Sequence, residues 1–224
     1  MTIEEHASRP DPFDVPADSA SAVARPMRAV LDVRDLPSVV YGSRAITWWG
    51  TVGFMGAEAA TLSAVLAAYY YVMRSYTSWP PLRTPPPDLL VPTISLLVLV
   101  AVLVPTYLFK KAVEKLDIAK TKLWMWIAVA VMAVAVVLRF MEFSSLNVRW
   151  DANTYASVAW AVLFVHFTLL LADTLETLMF AIMVTRGAPD RYYPGVDEDA
   201  FYSFFMVATW IPCYVTLYLV PRWV

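Results

Sequence analysis

Apolar residues along this chain fall into five stretches, 46–73, 88–109, 123–143, 153–186 and 200–220, separated by polar segments. Each is long enough for the ~20 residues that a helix needs to cross a bilayer. The pattern predicts an all-α polytopic membrane bundle of five transmembrane helices within a domain at 41–224. Trp48-Trp49 opens the first stretch and Tyr69-Tyr70-Tyr71 closes it, as expected for side chains at the membrane–water boundaries. Small residues between them, Gly53, Gly56, Ala57, Ala60 and Ala64 among others, permit close helix approach. Trp79-Pro80-Pro81 and Thr84-Pro85-Pro86-Pro87 follow and predict a non-helical loop. Pro92 and Pro105 lie near the ends of the second stretch, where neighbouring groups can satisfy the freed backbone. Residues 1–40 are polar and hold Pro10, Pro12, Pro16, Pro26 and Pro37. No apolar core follows a basic start there, so the reading is an extended or partly disordered tail, not a cleavable signal peptide. A docking arm against a partner is the functional alternative.

Polar positions inside the apolar stretches carry the candidate chemistry. The fourth stretch holds His166, Asp173 and Glu176, and the first holds Glu58. Ionisable groups are costly in hydrocarbon and call for buried partners or a functional reason. His166 and Asp173 are seven positions apart, nearly on one helical face, with Glu176 three further on. If the first and fourth helices are neighbours, Glu58 and Asp173 sit at similar depth, about 18 Å from one end. Such a carboxylate pair would share a proton rather than ionise twice. Three readings are open: interhelical hydrogen bonding, a proton-handling surface, or a carboxylate–histidine metal site. Di-iron bundles use paired Glu-x-x-His motifs, and here there is only Asp173-x-x-Glu176 with one isolated histidine. Arg139 and Glu142 lie at i and i+3 near the end of the third stretch, placed to pair at the interface or to snorkel towards it. Trp210, Tyr214 and Tyr218 recur four apart on one face of the fifth stretch, a packing stripe.

Composition narrows the class. The chain is 59% hydrophobic and 16% charged with net charge −2, which fits a polytopic membrane protein and argues against a nucleic-acid binder. Cys213 is the only cysteine, and His6 and His166 are the only histidines. That excludes an internal disulfide and a thiolate cluster, and predicts no haem, metal or other redox cofactor in this chain. On one side of five spans lie Arg25, Arg28, Arg34 and Arg44, then Lys110, Lys111, Lys115, Lys120 and Lys122, then Arg186 and Arg191. The other side carries Arg74, Arg83, Arg149 and Arg222, with Arg139 near its edge. The bias predicts a cytoplasmic N-terminus and an outside C-terminus.

Several of these residues, in this order, resemble subunit III of the haem–copper oxidases, the cytochrome c oxidase and quinol oxidase group, in its five-helix form. The likeness covers about 48–223. It comprises the run 53–58 with its intramembrane glutamate, Ala67-Ala68-Tyr69 before Trp79-Pro80-Pro81, and Leu90-Val91-Pro92-Thr93-Ile94-Ser95. Glu142, then Tyr155-Ala156-Ser157 with His166 eleven residues past the tyrosine, and Trp210-x3-Tyr214-Val215-Thr216-x-Tyr218 complete it. There are departures. The family's His-Gly-x-His reads His166-Phe167-Thr168-Leu169, and its Trp-His-Phe-x-Asp reads Ser203-Phe204-Phe205-Met206-Val207. Asp173 and Glu176 are additions to the commonest pattern. The resemblance implies a non-catalytic subunit in a bacterial-type plasma membrane, stabilising subunit I, binding phospholipid and supporting proton uptake during oxygen reduction. It implies oxidase subunits I and II as partners, haem and copper in those partners, and leaves open a larger respiratory supercomplex. Glu58 corresponds to the family's lipid-cleft glutamate, and His166 to the first histidine of its pair. Rival expectations are an accessory subunit of a nitric oxide reductase system and a small proton-coupled transporter, although no inverted repeat or interrupted helix pair supports the latter.

Overall fold

A computed structural model describes residues 39–81 and 83–223. All but the last two residues of the segment expected to form a polar tail lie outside them. Among the described residues no strand occurs, and the long elements are α1 (Ile46–Met73), α2 (Leu90–Glu114), α3 (Ile118–Ser145), α4 (Thr154–Thr185) and α5 (Tyr193–Tyr214). A π-helical segment, Val215–Leu219, carries α5 into a last turn, α6 (Val220–Trp223). Pro212 and Pro221 flank that segment, so the backbone bonds they forgo are absorbed by a locally widened helix. Five helices are long and apolar enough to cross a membrane, the fifth counted from Asp190 to Trp223. Their outward surfaces carry Phe54, Leu97, Val104, Val137, Phe164 and Ile211, apolar side chains suited to face lipid in an all-helical membrane bundle.

Order in the chain sets the packing. A tight turn folds α3 back on α2, α4 lies against α3, and α1 packs on α4 and α5, while α5 touches α1, α2 and α4. The α2–α3 turn is shorter than hydropathy suggests. Lysine is a good helix former, so Lys110 and Lys111 extend α2, and Lys120 and Lys122 belong to the first turns of α3. Leu116 takes a left-handed conformation (φ 55°), and Asp117 caps α3 by accepting from the Lys120 amide at 3.1 Å. Its carboxylate is held below the ordinary range by the Lys120 side chain. Tyr41 donates to the Val113 carbonyl at 3.0 Å, and burial with nearby acids pushes its hydroxyl up to about 12. At the opposite end Trp79 donates to the Tyr69 hydroxyl at 2.8 Å and meets the Tyr155 ring edge-on at 4.9 Å.

The fifth helix also begins earlier than its apolar stretch. Pro194 stands at its first positions, where a missing N–H costs nothing. Asp197, Glu198 and Asp199 therefore belong to the opening turns of α5 and not to a solvated connector, and all three are buried. They stand past the first turn, beyond the reach of the helix dipole, and so need side-chain partners. Asp197 is paired with Lys110 of α2. Replacing Lys110 with Met leaves that buried carboxylate without its cation and is expected to cost about 1–3 kcal/mol. The melting temperature of the solubilised protein should fall accordingly, and Asp197→Asn added to Lys110→Met should restore most of it.

Candidate functional site

The helical period of α5 places Asp199, Tyr202 and Ser203 within one turn, and that of α4 does the same for Asp173, Glu176 and Thr177. Across the α4–α5 contact Thr177 donates to Asp199 Oδ1 at 3.0 Å. Ser203 donates to Asp173 at 3.1 and 3.3 Å. Across the α1–α5 contact the Tyr202 hydroxyl donates to both oxygens of Glu58, at 2.9 and 2.7 Å. Glu198 accepts from Thr47 and, at 3.5 Å, faces Thr51. Four carboxylates are thus held by neutral hydroxyls, and among the described residues none of them is paired with a lysine or arginine. Glu58 and Asp173 share a level because their partners, Tyr202 and Ser203, are consecutive. They do not hydrogen-bond to each other directly. An acid seam without bases, set on three packed helices, cannot hold every carboxylate ionised at once.

Arg139 and Glu142 form a second cluster. Arg139 Nη1 donates to Glu142 Oε2 at 3.2 Å, and both side chains are 0% exposed. Tyr218 donates to the same carboxylate oxygen at 2.9 Å. The Arg139 guanidinium lies 3.3 Å over the Trp210 ring, whose other neighbour is the His166 imidazole at 4.6 Å. The pairing follows the i, i+3 spacing, and both side chains are enclosed by protein. Trp210 and Tyr218 from the fifth span draw the pair into the bundle, where no side chain can snorkel.

Of the residues singled out by sequence, the structure joins Glu58 and Asp173 through α5 and leaves Glu176 exposed at the edge of the seam. His166 stands apart from the acids. Its Nε2 is 3.1 Å from the Met206 carbonyl, and its Nδ1 has no partner among the described residues. Asp197, Glu198, Asp199, Tyr202 and Ser203 were invisible to hydropathy, and Pro194 was the signal that moves the acids into the helix. No group of three or more His, Cys, Asp or Glu side chains arranged to hold a metal occurs among the described residues. Buried carboxyls bonded to hydroxyls can hold and exchange protons. Redox chemistry would need ligands of another kind.

A cleft of about 490 Å³ opens between α1, α4 and α5, lined by Thr47, Gly50, Glu176, Glu198, Asp199 and Tyr202 among others. A second, larger groove of about 660 Å³ lies between α3 and α4 at the other end of the bundle. Phe140, Phe143, Trp160, Phe164 and Phe167 wall it, with Arg149 at its rim.

No family model matches the chain. It is 25% identical over 177 residues to cytochrome c oxidase subunit 3 of Thermostichus vulcanus, covering 77% of this chain and 87% of that protein. To cytochrome c oxidase subunit 3 of Synechocystis sp. it is 23% identical over 184 residues, covering 80% of this chain and 78% of the relative.

Proposed function

We propose, starting from the chain's membership of the cytochrome c oxidase subunit III family, that it is a non-catalytic subunit of a haem–copper terminal oxidase, seated beside subunits I and II. The observation that carries this reading is the likeness to two subunit 3 proteins along about four-fifths of the chain. The oxygen chemistry is then the work of haem and copper in the partners. This chain contributes a rigid, largely apolar body that stabilises subunit I. Its acid seam of Glu58, Asp173, Glu198 and Asp199 supports proton uptake during turnover. The aromatic groove between α3 and α4 suits an acyl chain of a membrane phospholipid, with Arg149 and Asn147 at its polar end. The loop charges favour an N-terminus in the cytoplasm of a bacterial-type plasma membrane.

Affinity purification of this chain from its native membrane tests the reading. Haem–copper subunits, a haem optical spectrum and oxygen reduction should accompany it. A preparation that reduces nitric oxide but not oxygen would instead favour the nitric oxide reductase reading. Proton-dependent solute flux by the isolated chain would overturn the oxidase assignment.

A further inference from the structure

The seam adjoins a cleft. The cleft between α1, α4 and α5 lies at the lysine-bearing end of the bundle, with Glu198 and Asp199 on one wall and Glu176 on another. At about 490 Å³ it has room for on the order of ten water molecules at ~30 Å³ each. Asp199 is the side chain that gives it a purpose. Only 2% of its surface is exposed; its Oδ1 accepts from Thr177, and its Oδ2 has no partner among the described residues although Asp199 lines the cleft. Leaving a buried carboxylate oxygen unbonded is costly unless water or an exchanging proton meets it. Thr177, which holds its other oxygen, is one turn of α4 from Asp173, the inner acid of the seam. On α5, Tyr202 lines the same cleft and holds Glu58.

We infer that this cleft is the proton-exchange mouth of the seam, with Asp199 as the group that takes protons from cleft water and passes them towards Asp173. The inference rests on the proton-handling part of the proposed function. A hydronium ion in the cleft gives its proton to the Asp199 carboxylate and leaves as water. When the proton moves inward, Asp199 returns to the carboxylate and is ready for the next. The charged and titratable groups around it are Asp173 and Glu176 on α4, Glu58 on α1, and Asp197, Glu198 and Tyr202 on α5. Lys110 of α2 is occupied by Asp197. Clefts lined by one sign of charge concentrate the opposite ion and speed its arrival, by about 10- to 1,000-fold.

Oxygen reduction by the assembled oxidase, measured against pH, tests this with three variants. Asp199→Asn removes the acceptor. Gly50→Phe fills the cleft from α1, where nothing stands within 4 Å of an added Cβ, and leaves every acid in place. Asp173→Asn reports on the seam itself. Both mouth variants should turn over about threefold more slowly at alkaline pH, where protons are scarce, and near the parental rate at acid pH. A parental pH profile in both, with Asp173→Asn slowed, would overturn the mouth while sparing the seam. Parental behaviour of all three would remove the seam's role and the mouth with it. Slowing by Asp199→Asn without slowing by Gly50→Phe would assign Asp199 a structural part and defeat the inference. If Asp199→Asn does not assemble, Gly50→Phe decides alone.

Discussion

Arg139→Met is expected to abolish accumulation of the assembled protein or to lower its melting temperature sharply. The guanidinium and the Glu142 carboxylate are both 0% exposed and 3.2 Å apart. Removing the arginine leaves a buried carboxylate that accepts from the Tyr218 hydroxyl but has no cation beside it among the described residues. Breaking a buried pair from one side costs roughly 3–5 kcal/mol, a large share of a folded state's ~5–15 kcal/mol margin. Loss of the contact with Trp210 adds a cation–π contribution of up to about 2 kcal/mol in a desolvated site. Arg139→Met combined with Glu142→Gln should recover most of the loss, because the amide oxygen still accepts from Tyr218 and no net charge is stranded. Thermal melting and the yield of assembled complex read both outcomes. A double variant no better than the single would show that Arg139 acts through Trp210 rather than through Glu142.

That cluster also shows where sequence reading reaches and where it stops. The i, i+3 spacing of Arg139 and Glu142 reveals the pair, since helical geometry alone brings the two together. Its enclosure depends on Trp210 and Tyr218, far along the chain, whose four-residue recurrence reads as plain packing until side chains of the fifth span are seen to reach the third helix. The five spans are legible because hydrocarbon demands apolar length, and length survives without tertiary knowledge. Asp197, Glu198 and Asp199 are not, since hydropathy scores a polar helical turn and a polar connector alike. Only Pro194 marks the difference, and only once the register of α5 against α1 and α4 is known. Nor does a sequence advertise that Tyr202, Ser203 and Thr177 are partners of acids. A hydroxyl reveals that role only through its neighbour.

Glu58→Gln and Asp173→Asn put the function of the seam to its most direct trial. Each substitution keeps an oxygen that accepts the existing hydroxyl bond, from Tyr202 in one case and Ser203 in the other. Neither changes side-chain volume appreciably, so assembly should survive. What is lost is a group able to take and release a proton. A group obligatory for proton transfer in the chemical step would command ~10²–10⁴ in rate. On the proposed function the oxygen chemistry lies in partner subunits and the seam only supplies it, so the expected fall in steady-state oxygen reduction is smaller, up to about tenfold, or appears as a shortened working lifetime. The haem content and subunit composition should match the parent. Loss of the complex in either variant would make the acids structural, holding α1 and α4 to α5 by hydrogen bonds, and full parental turnover with normal assembly would deny them a part in proton supply. The two outcomes separate because the substitutions preserve the rungs and remove only the protons they can carry.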